Sequence, residues 1–288
     1  LLFQTNELFL GSIFGIYFLT NFNYMRKLIR GFLQKRGYDI VKVEVPTKVY
    51  SGVSDTPQYT YHPTPIANYY LPKISDNDVI ANHMKRGLLF EPEVISLAKK
   101  FIKNGSTVLD VGANLGQMSI EFAKAVGSIG LVYSFEAQKA VFDILQKNIE
   151  ANNLKNVKPI YAAVYNKDNV VMHFPEPDFT RFGSYGSFGL DGNKKDGIEV
   201  TSITIDSLNI TTPISFIKVD VQGSDLFAME GAKETIRKHK MPILFEFEQQ
   251  FQQDFNTNFN MYVDFVKSIN YKFAETIMDI NFLILPND

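Results

Sequence analysis

Thr107-Val108-Leu109-Asp110-Val111-Gly112-Ala113-Asn114-Leu115-Gly116 runs from an apolar core into a glycine turn. Val108, Leu109 and Val111 form the short apolar run expected of a strand buried on both faces. Asp110 lies inside that run, where an unpaired carboxylate is costly, so a partner is expected for it. Gly112 and Gly116 bracket a tight turn, and Gln117 to Val126 reads as a helix. Strand, glycine turn and helix open a nucleotide-binding α/β unit, whose backbone amides are free to approach a ligand.

The glycine spacing narrows the ligand. A dinucleotide G-x-G-x-x-G beginning at Gly112 needs glycine where this chain has Asn114 and Gln117. No Gly-Lys-Ser/Thr follows either, so a phosphate loop is excluded. What remains is D-x-G-x-N-x-G, with Glu136 at the end of the next strand. This resembles the S-adenosylmethionine (SAM) site of class I methyltransferases. SAM carries no phosphate; it needs a close backbone approach for its methionine carboxylate and an acid for its ribose hydroxyls. The resemblance assigns Asp110, Gly112, Asn114, Gly116 and Glu136 to the cofactor, with Asn114 a turn-former touching the methionine end. Ala162-Ala163-Val164 is small enough for adenine to lie against, which adds Ala163.

A chain of 288 residues with 45% apolar residues and 25 Phe can bury one large α/β core with an N-terminal appendage. The formal net charge of −2 argues against a nucleic-acid partner. With no Cys, disulfides, thiol nucleophiles and cysteine-ligated metals are excluded, and a reducing, cytoplasmic setting fits. His62, His83, His173 and His239 are scattered without metal-ligand spacing, so no metal is expected.

The sequence begins at Leu1 rather than Met, which reads as a fragment or an over-extended frame. Residues 1–24 are set apart by the uncharged stretch Leu8 to Tyr24, whose dense apolar part is shorter than the ~20 residues of a spanning helix. It lacks the basic flank of a signal peptide. A membrane anchor, helped by Arg26, Lys27 and Arg30, and translated upstream sequence before Met25 both fit. Arg26 to Arg36 reads as a short basic amphipathic helix, either capping the core or weakly attached to an anionic surface. Residues 25–88 are expected to form a helical and loop cap, with Val45 to Lys73 a linker and Asp76 to Lys103 largely helical. Glu91-Pro92-Glu93 opens the helix that leads into the first strand.

Beyond the opening unit, strands are expected at Leu131 to Phe135, Val157 to Tyr161, Ile214 to Val219 and Pro242 to Phe247. Gln138 to Asn152 and Asp225 to Lys238 read as helices, and Val170 to Phe174 and Ile198 to Ile205 as β ribbons. Asn260 to Ile269 is a further helix, before terminal strands at Lys272 to Glu275 and Asn281 to Leu285. Phe179 to Lys195, rich in Gly, Ser, Asn and aromatics, resembles a mobile loop beside a site, where Arg181, Tyr185 and Phe188 could grip a sugar. Alternating β and α units make a doubly wound sheet the natural architecture.

Four pieces of the second half are similar to FkbM-type methyltransferases: Ile205-Asp206-Ser207-Leu208, Phe216 to Gly223, Met229-Glu230-Gly231-Ala232 and Pro242 to Glu246. The resemblance covers roughly Leu89 to Pro286, so 89–288 is taken as the methyltransferase domain. It implies a Rossmann-like, mostly parallel seven-stranded sheet whose last strand is antiparallel. It also implies SAM-dependent O-methylation, usually of a sugar hydroxyl in a glycan, glycolipid or natural product. The usual D-V-E-G-x-E stands here as Asp220-Val221-Gln222-Gly223-Ser224-Asp225. If both acids bind a metal in relatives, Gln222 weakens that site.

A sugar hydroxyl is a poor nucleophile, so a carboxylate within reach of its proton helps. Asp220 ends the strand beside the first, at the edge where open α/β sheets bind ligands, and is expected as base or acceptor-orienting group. Glu246 ends the next strand and is expected to support the acceptor. The structural alternative for each is a strand-end acid that caps a helix or pairs with Lys218. Two other functions stay open: a nicotinamide-dependent oxidoreductase on a Rossmann fold, and a catalytically inactive SAM- or glycan-binding module.

Overall fold

The computed structural model describes residues 59–73, 75, 78–174 and 197–287, all within one compact unit. The stretches Leu8 to Tyr24, Arg26 to Arg36 and Phe179 to Lys195 lie outside the described residues. Among the described residues, no helix is long and apolar enough to cross a membrane.

The central sheet has seven strands: β3 (Thr107–Val111), β4 (Leu131–Glu136), β5 (Val157–Tyr161), β9 (Ile214–Val219), β10 (Ile243–Glu246), β11 (Tyr271–Ile277) and β12 (Asn281–Pro286). Their spatial order is β11-β12-β10-β9-β3-β4-β5. The five strands from β10 to β5 are parallel, and β12 runs antiparallel to both β10 and β11. This is the Rossmann-like, mostly parallel sheet with an antiparallel last strand. Pro159, which cannot donate to a ladder, sits on the edge strand β5, where it is tolerated.

Every residue of β3, β9 and β10 is buried, which is why these segments read as continuous apolar runs rather than alternating ones. Alternate residues still face opposite layers. Val108, Val132, Phe216, Leu244 and Leu283 pack against α2 (Pro92–Phe101), α3 (Gln117–Val126) and α4 (Lys139–Ala151). Leu109, Ile217, Val219, Ile243, Phe245 and Ile284 pack against α5 (Asp225–Glu230), α6 (Lys233–His239) and α7 (Phe259–Ser268).

Three sequence expectations need correction. The described part of the stretch read as a linker, Val45 to Lys73, is a hairpin of β1 (Tyr59–Pro63) and β2 (Asn68–Pro72). Tyr69 and Leu71 point inward and pack with Leu115, Ile120 and Ile144, whereas Tyr70 points outward against Tyr59 and Tyr61. Tyrosines on both faces hide the period-two signal. Asp76 to Lys103 is broken between α1 (Val79–Lys85) and α2, with Gly87 at φ +65° and Glu91 at φ +48° before Pro92. Asp225 to Lys238 is likewise two helices, α5 and α6. A Cβ on Gly231 would lie 2.0 Å from the Tyr165 carbonyl oxygen, so only glycine passes there. Asp206 then caps α6 from outside, accepting from the backbone N of Thr235 (2.7 Å) and Glu234 (3.0 Å). Outside the main sheet, β8 (Ile198–Ile203) pairs in parallel with β6 (Ala163–Val164) and antiparallel with β7 (Val171–Phe174).

Candidate functional site

The carboxyl ends of β3, β4, β9 and β10 open into a cavity of about 450 Å³, the size of a small-molecule site. Gly112, Asn114, Glu136, Ala163, Asp220 and Glu246 all line it. Asp110 and Gly116 do not.

Asp110 is fully buried one layer below the cavity, on the α3 face of β3. Its Oδ2 accepts from the Ser119 hydroxyl, which in turn accepts from Ser134, so the partner expected for it exists. Oδ1 has no partner among the described residues, and burial raises the pKa against the pull of Lys218. Gly116 starts α3 at φ +90°, where a Cβ would stand 2.6 Å from Leu145 Cδ1. Its role is to let α3 and α4 approach. Gly112, at φ +83°, does border the cavity, but an added Cβ would lie 1.8 Å from the Asp220 carbonyl oxygen. The missing side chain is demanded first by the close approach of the turn after β3 to the backbone at the end of its parallel neighbour β9, and only then by a ligand. Gln117, which stands where a dinucleotide motif has glycine, ties the segment before α2 in place. Its Oε1 accepts from Phe90 N (2.7 Å) and its Nε2 donates to Leu88 O (2.9 Å).

Glu136 ends β4 at 9% exposure. Its Oε2 accepts from Asn114 N (2.9 Å) and its Oε1 from Gln138 N (2.8 Å). Burial pushes its pKa up to about 7, although these backbone amides pull the other way. Beside it Ala137, Ala162, Ala163 and Phe174 form an apolar slot.

The far side of the cavity is a side-chain network. Asp220 Oδ2 pairs with the ammonium of Lys218 (2.9 Å), itself only 4% exposed. Gln222 Nε2 donates to Asp220 Oδ1 (3.3 Å) and to Glu246 Oε2 (3.2 Å), bridging the two acids. Burial alone would raise Asp220, but the charge and hydrogen bond of Lys218 more than offset it and hold the carboxyl low. Glu246 is raised, by burial and then by the Asp220 charge. At neutral pH the pair therefore holds one proton and one charge, with the charge on Asp220. Lys218 stays charged, because Asp220 and Asp110 outweigh its burial. The pairing with Lys218 that stood as an alternative for Asp220 is real, and it coexists with a place on the cavity wall.

Asp225 faces elsewhere. Its carboxylate accepts from Val221 N (3.1 Å) and Gly223 N (3.0 Å), closing the turn after β9. Burial, then the nearby Asp220 charge, raise it to about 7. Among the described residues, no group of three His, Cys, Asp or Glu is placed to hold a metal ion.

Sequence reasoning missed four cavity residues: Glu91, Gln138, Glu248 and the bridging function of Gln222. Glu91, Gln138 and Glu248 belong to no spaced motif, and Gln222 reads only as a departure from the D-V-E-G-x-E pattern. Of the first three, only the helix-opening Glu91-Pro92 carried a signal, and it spoke of a helix start rather than of a site.

Sheet order, glycine turn and acid-ended second strand together define a class I, SAM-dependent methyltransferase. A family model for the methyltransferase FkbM domain matches residues 110–273, more than half of the chain, and the chain belongs to that family. A model for protein-L-isoaspartate(D-aspartate) O-methyltransferase also matches residues 40–165. A curated relative from Sulfolobus acidocaldarius, described as a probable cobalt-precorrin-6B C(15)-methyltransferase (decarboxylating), is 32% identical over 90 residues, 31% of this chain and 47% of the relative. Its counterpart from Saccharolobus solfataricus is 28% identical over 106 residues, 35% of this chain and 53% of the relative. The chain thus spans about half the length of the curated relatives it matches. Among solved structures, the FkbM methyltransferase from Methylobacillus flagellatus has a TM-score of 0.41 at 15% identity, over 70% of this chain and 46% of that one. A SAM-dependent O-methyltransferase from Thermotoga maritima has a TM-score of 0.44 at 15% identity, over 76% of this chain and 73% of that one.

The cofactor is SAM, and the reading as a nicotinamide-dependent oxidoreductase falls with the family assignment. The residues present fit it. In its ionised form Glu136 is an acceptor-only group for two ribose hydroxyls, the apolar slot suits a flat ring, and the acids Glu91, Asp220 and Glu248 favour a ligand bearing ammonium and sulfonium charges.

Proposed function

We propose that this enzyme methylates a hydroxyl of an uncharged, sugar-like acceptor, in a glycan, glycolipid or natural product. One observation carries the reading: Asp220 and Glu246, joined by Gln222, face the cavity opposite Glu136, and no Lys, Arg or His is among the described residues lining it. A phosphate, a carboxylate or a nucleic-acid strand beside Asp220 would meet its charge with no cationic side chain among the described residues lining the cavity to offset it. A neutral polyol instead finds an ionised acceptor in Asp220 and a protonated donor in Glu246.

Bound SAM supplies an activated methyl group on a sulfonium. Asp220 accepts the hydrogen bond of the attacking hydroxyl and so aims its lone pair, an orientation effect that does not need a strong base. As the O–CH₃ bond forms and the methyl–sulfur bond breaks to leave a neutral thioether, the hydroxyl proton becomes strongly acidic, and Asp220 takes it despite its low pKa. Glu246 donates to a neighbouring acceptor oxygen, and Gln222 holds the two carboxyl groups in register. A cytoplasmic setting accords with the absence of cysteine.

The test is to incubate the full chain with SAM and a panel of neutral, amino and phosphorylated sugars, following S-adenosylhomocysteine. Turnover is expected with neutral sugars, and a preference for phosphorylated ones would overturn the reading. Tight SAM binding without turnover on any hydroxyl acceptor would favour the inactive-module alternative instead.

A further inference from the structure

We infer that Gln138 reads the adenine ring of the methyl donor, pairing one amide donor and one amide acceptor with the edge that carries the 6-amino group. Gln138 is the N-cap of α4, yet its side chain makes no capping bond. It is 2% exposed and lines the cavity. Neither its Oε1 nor its Nε2 has a hydrogen-bond partner among the described residues. A buried amide unpaired at both ends is costly, and folded proteins retain few of them. Here the residue that carries the two unpaired atoms lines a cavity that takes a ligand.

Position says which part of the ligand. Glu136 is clamped by the backbone amides of Asn114 on one side and Gln138 on the other. On the Gln138 side, Ala137 packs with Ala163 and Phe174 in the slot that suits a flat ring. The Glu136 carboxylate can only accept, so it serves hydroxyl donors and cannot satisfy ring nitrogens. Adenine offers an amino donor beside a ring-nitrogen acceptor, and a primary amide is their complement; Gln pairs with adenine in this way in nucleic acids. Rotating the amide by half a turn exchanges its donor and acceptor, and with neither atom otherwise bonded the side chain is free to present the order that the adenine edge requires.

The inference rests on the placement of ribose at Glu136, and the experiment keeps the two apart. Binding of S-adenosylhomocysteine and of its 6-deamino purine analogue is measured by calorimetry on the full chain, as wild type, Gln138→Met and Glu136→Ala. In the wild type, loss of the 6-amino group is expected to cost about 10- to 100-fold in affinity. Gln138→Met is expected to bind S-adenosylhomocysteine weaker by a similar factor, and to distinguish the two ligands by less than about threefold, the mark of a direct pair. Glu136→Ala is expected to weaken both ligands equally and to keep the wild-type ratio. Ligand-free Gln138→Met is expected to melt no lower than wild type, because it removes a buried amide without a partner. A wild-type ratio in Gln138→Met, or a melting temperature several degrees lower, overturns the assignment. Unchanged affinities in Glu136→Ala overturn the ribose placement beneath it.

Discussion

The two ends of the cavity hold their acids by different means. At the donor end, Glu136 is fixed by backbone amides of its own turn and of the turn after β3. At the acceptor end, Asp220 and Glu246 are fixed by the side chains of Lys218 and Gln222, reaching between neighbouring strands. Backbone amides cannot be mutated away, so the donor end tolerates substitution nearby. The acceptor end depends on the identity of each side chain, and there a single change alters charge, proton count and geometry together. Gly112 joins the two ends, since its missing side chain is what lets the β3 turn rest on Asp220.

The largest effect should come from breaking that junction. Gly112→Val combines a disallowed backbone angle with a collision against backbone, and is expected to destabilise by about 4 kcal/mol or more. That corresponds to a melting temperature roughly 10 °C lower in a domain of this size. Near-wild-type melting would show that β3 and β9 can part without cost.

Lys218→Met should come next. It strips the half-buried Asp220 of its counter-charge; because that carboxylate still borders the cavity, the cost should fall below the about 3–5 kcal/mol of a fully buried pair. Denaturant unfolding of Lys218→Met and of the double variant Lys218→Met/Asp220→Asn should show the second change recovering much of the loss. If the double variant is no more stable than the single, the pair is not coupled.

Asp220→Asn should still bind SAM, lose stability because the buried Lys218 is left without its carboxylate partner, and, in the protein that remains folded, lower turnover by about 10²–10⁴-fold once an acceptor is in hand. Turnover within a few-fold of wild type would remove Asp220 from the chemistry.

The donor end should instead reveal itself through pH. Glu136 titrates near 7 in the ligand-free protein against an ordinary value of 4.5, so the folded state holds a proton that the unfolded chain has lost. Its contribution to stability is present below pH 4.5, falls as pH rises towards 7, and stays lost above that. Relative to Glu136→Gln, wild type should lose up to roughly 3 kcal/mol over that window, in denaturant titrations at fixed ionic strength. Affinity for SAM should climb over the same window, because the ribose hydroxyls want the ionised form. A difference between the two proteins that does not vary with pH would refute both statements.

The smallest effect is expected from Gln222→Glu, which restores the usual family residue. A third carboxylate beside Asp220 and Glu246 will take a proton rather than a charge, so turnover at pH 7 should change by less than about tenfold. A new dependence on magnesium in this variant alone would show that a carboxylate at position 222 completes a metal site.

The donor end was legible because its signals are local. The strand Val108 to Val111, the turn glycines and Glu136 at the end of the next strand are spaced by the geometry of one βαβ unit, which constrains sequence directly. The same holds for the buried strands β9 and β10, whose mostly apolar, non-alternating runs, with Ser215 and Lys218 inside β9 and Glu246 ending β10, announce a two-sided parallel sheet. Tertiary structure alone decided the rest. Whether Gly112 serves a ligand or a neighbouring strand depends on Asp220, more than a hundred residues away. The hairpin of β1 and β2 became structure because Tyr69 and Leu71 found Leu115, Ile120 and Ile144, a pairing no local pattern encodes. The protonation of Asp220 and Glu246 likewise depends on Lys218, Gln222 and the depth of burial, which exist only once four strand ends share one cavity. Periodicity and turn chemistry are properties of neighbours in sequence; charge, solvation and close approach are properties of neighbours in space.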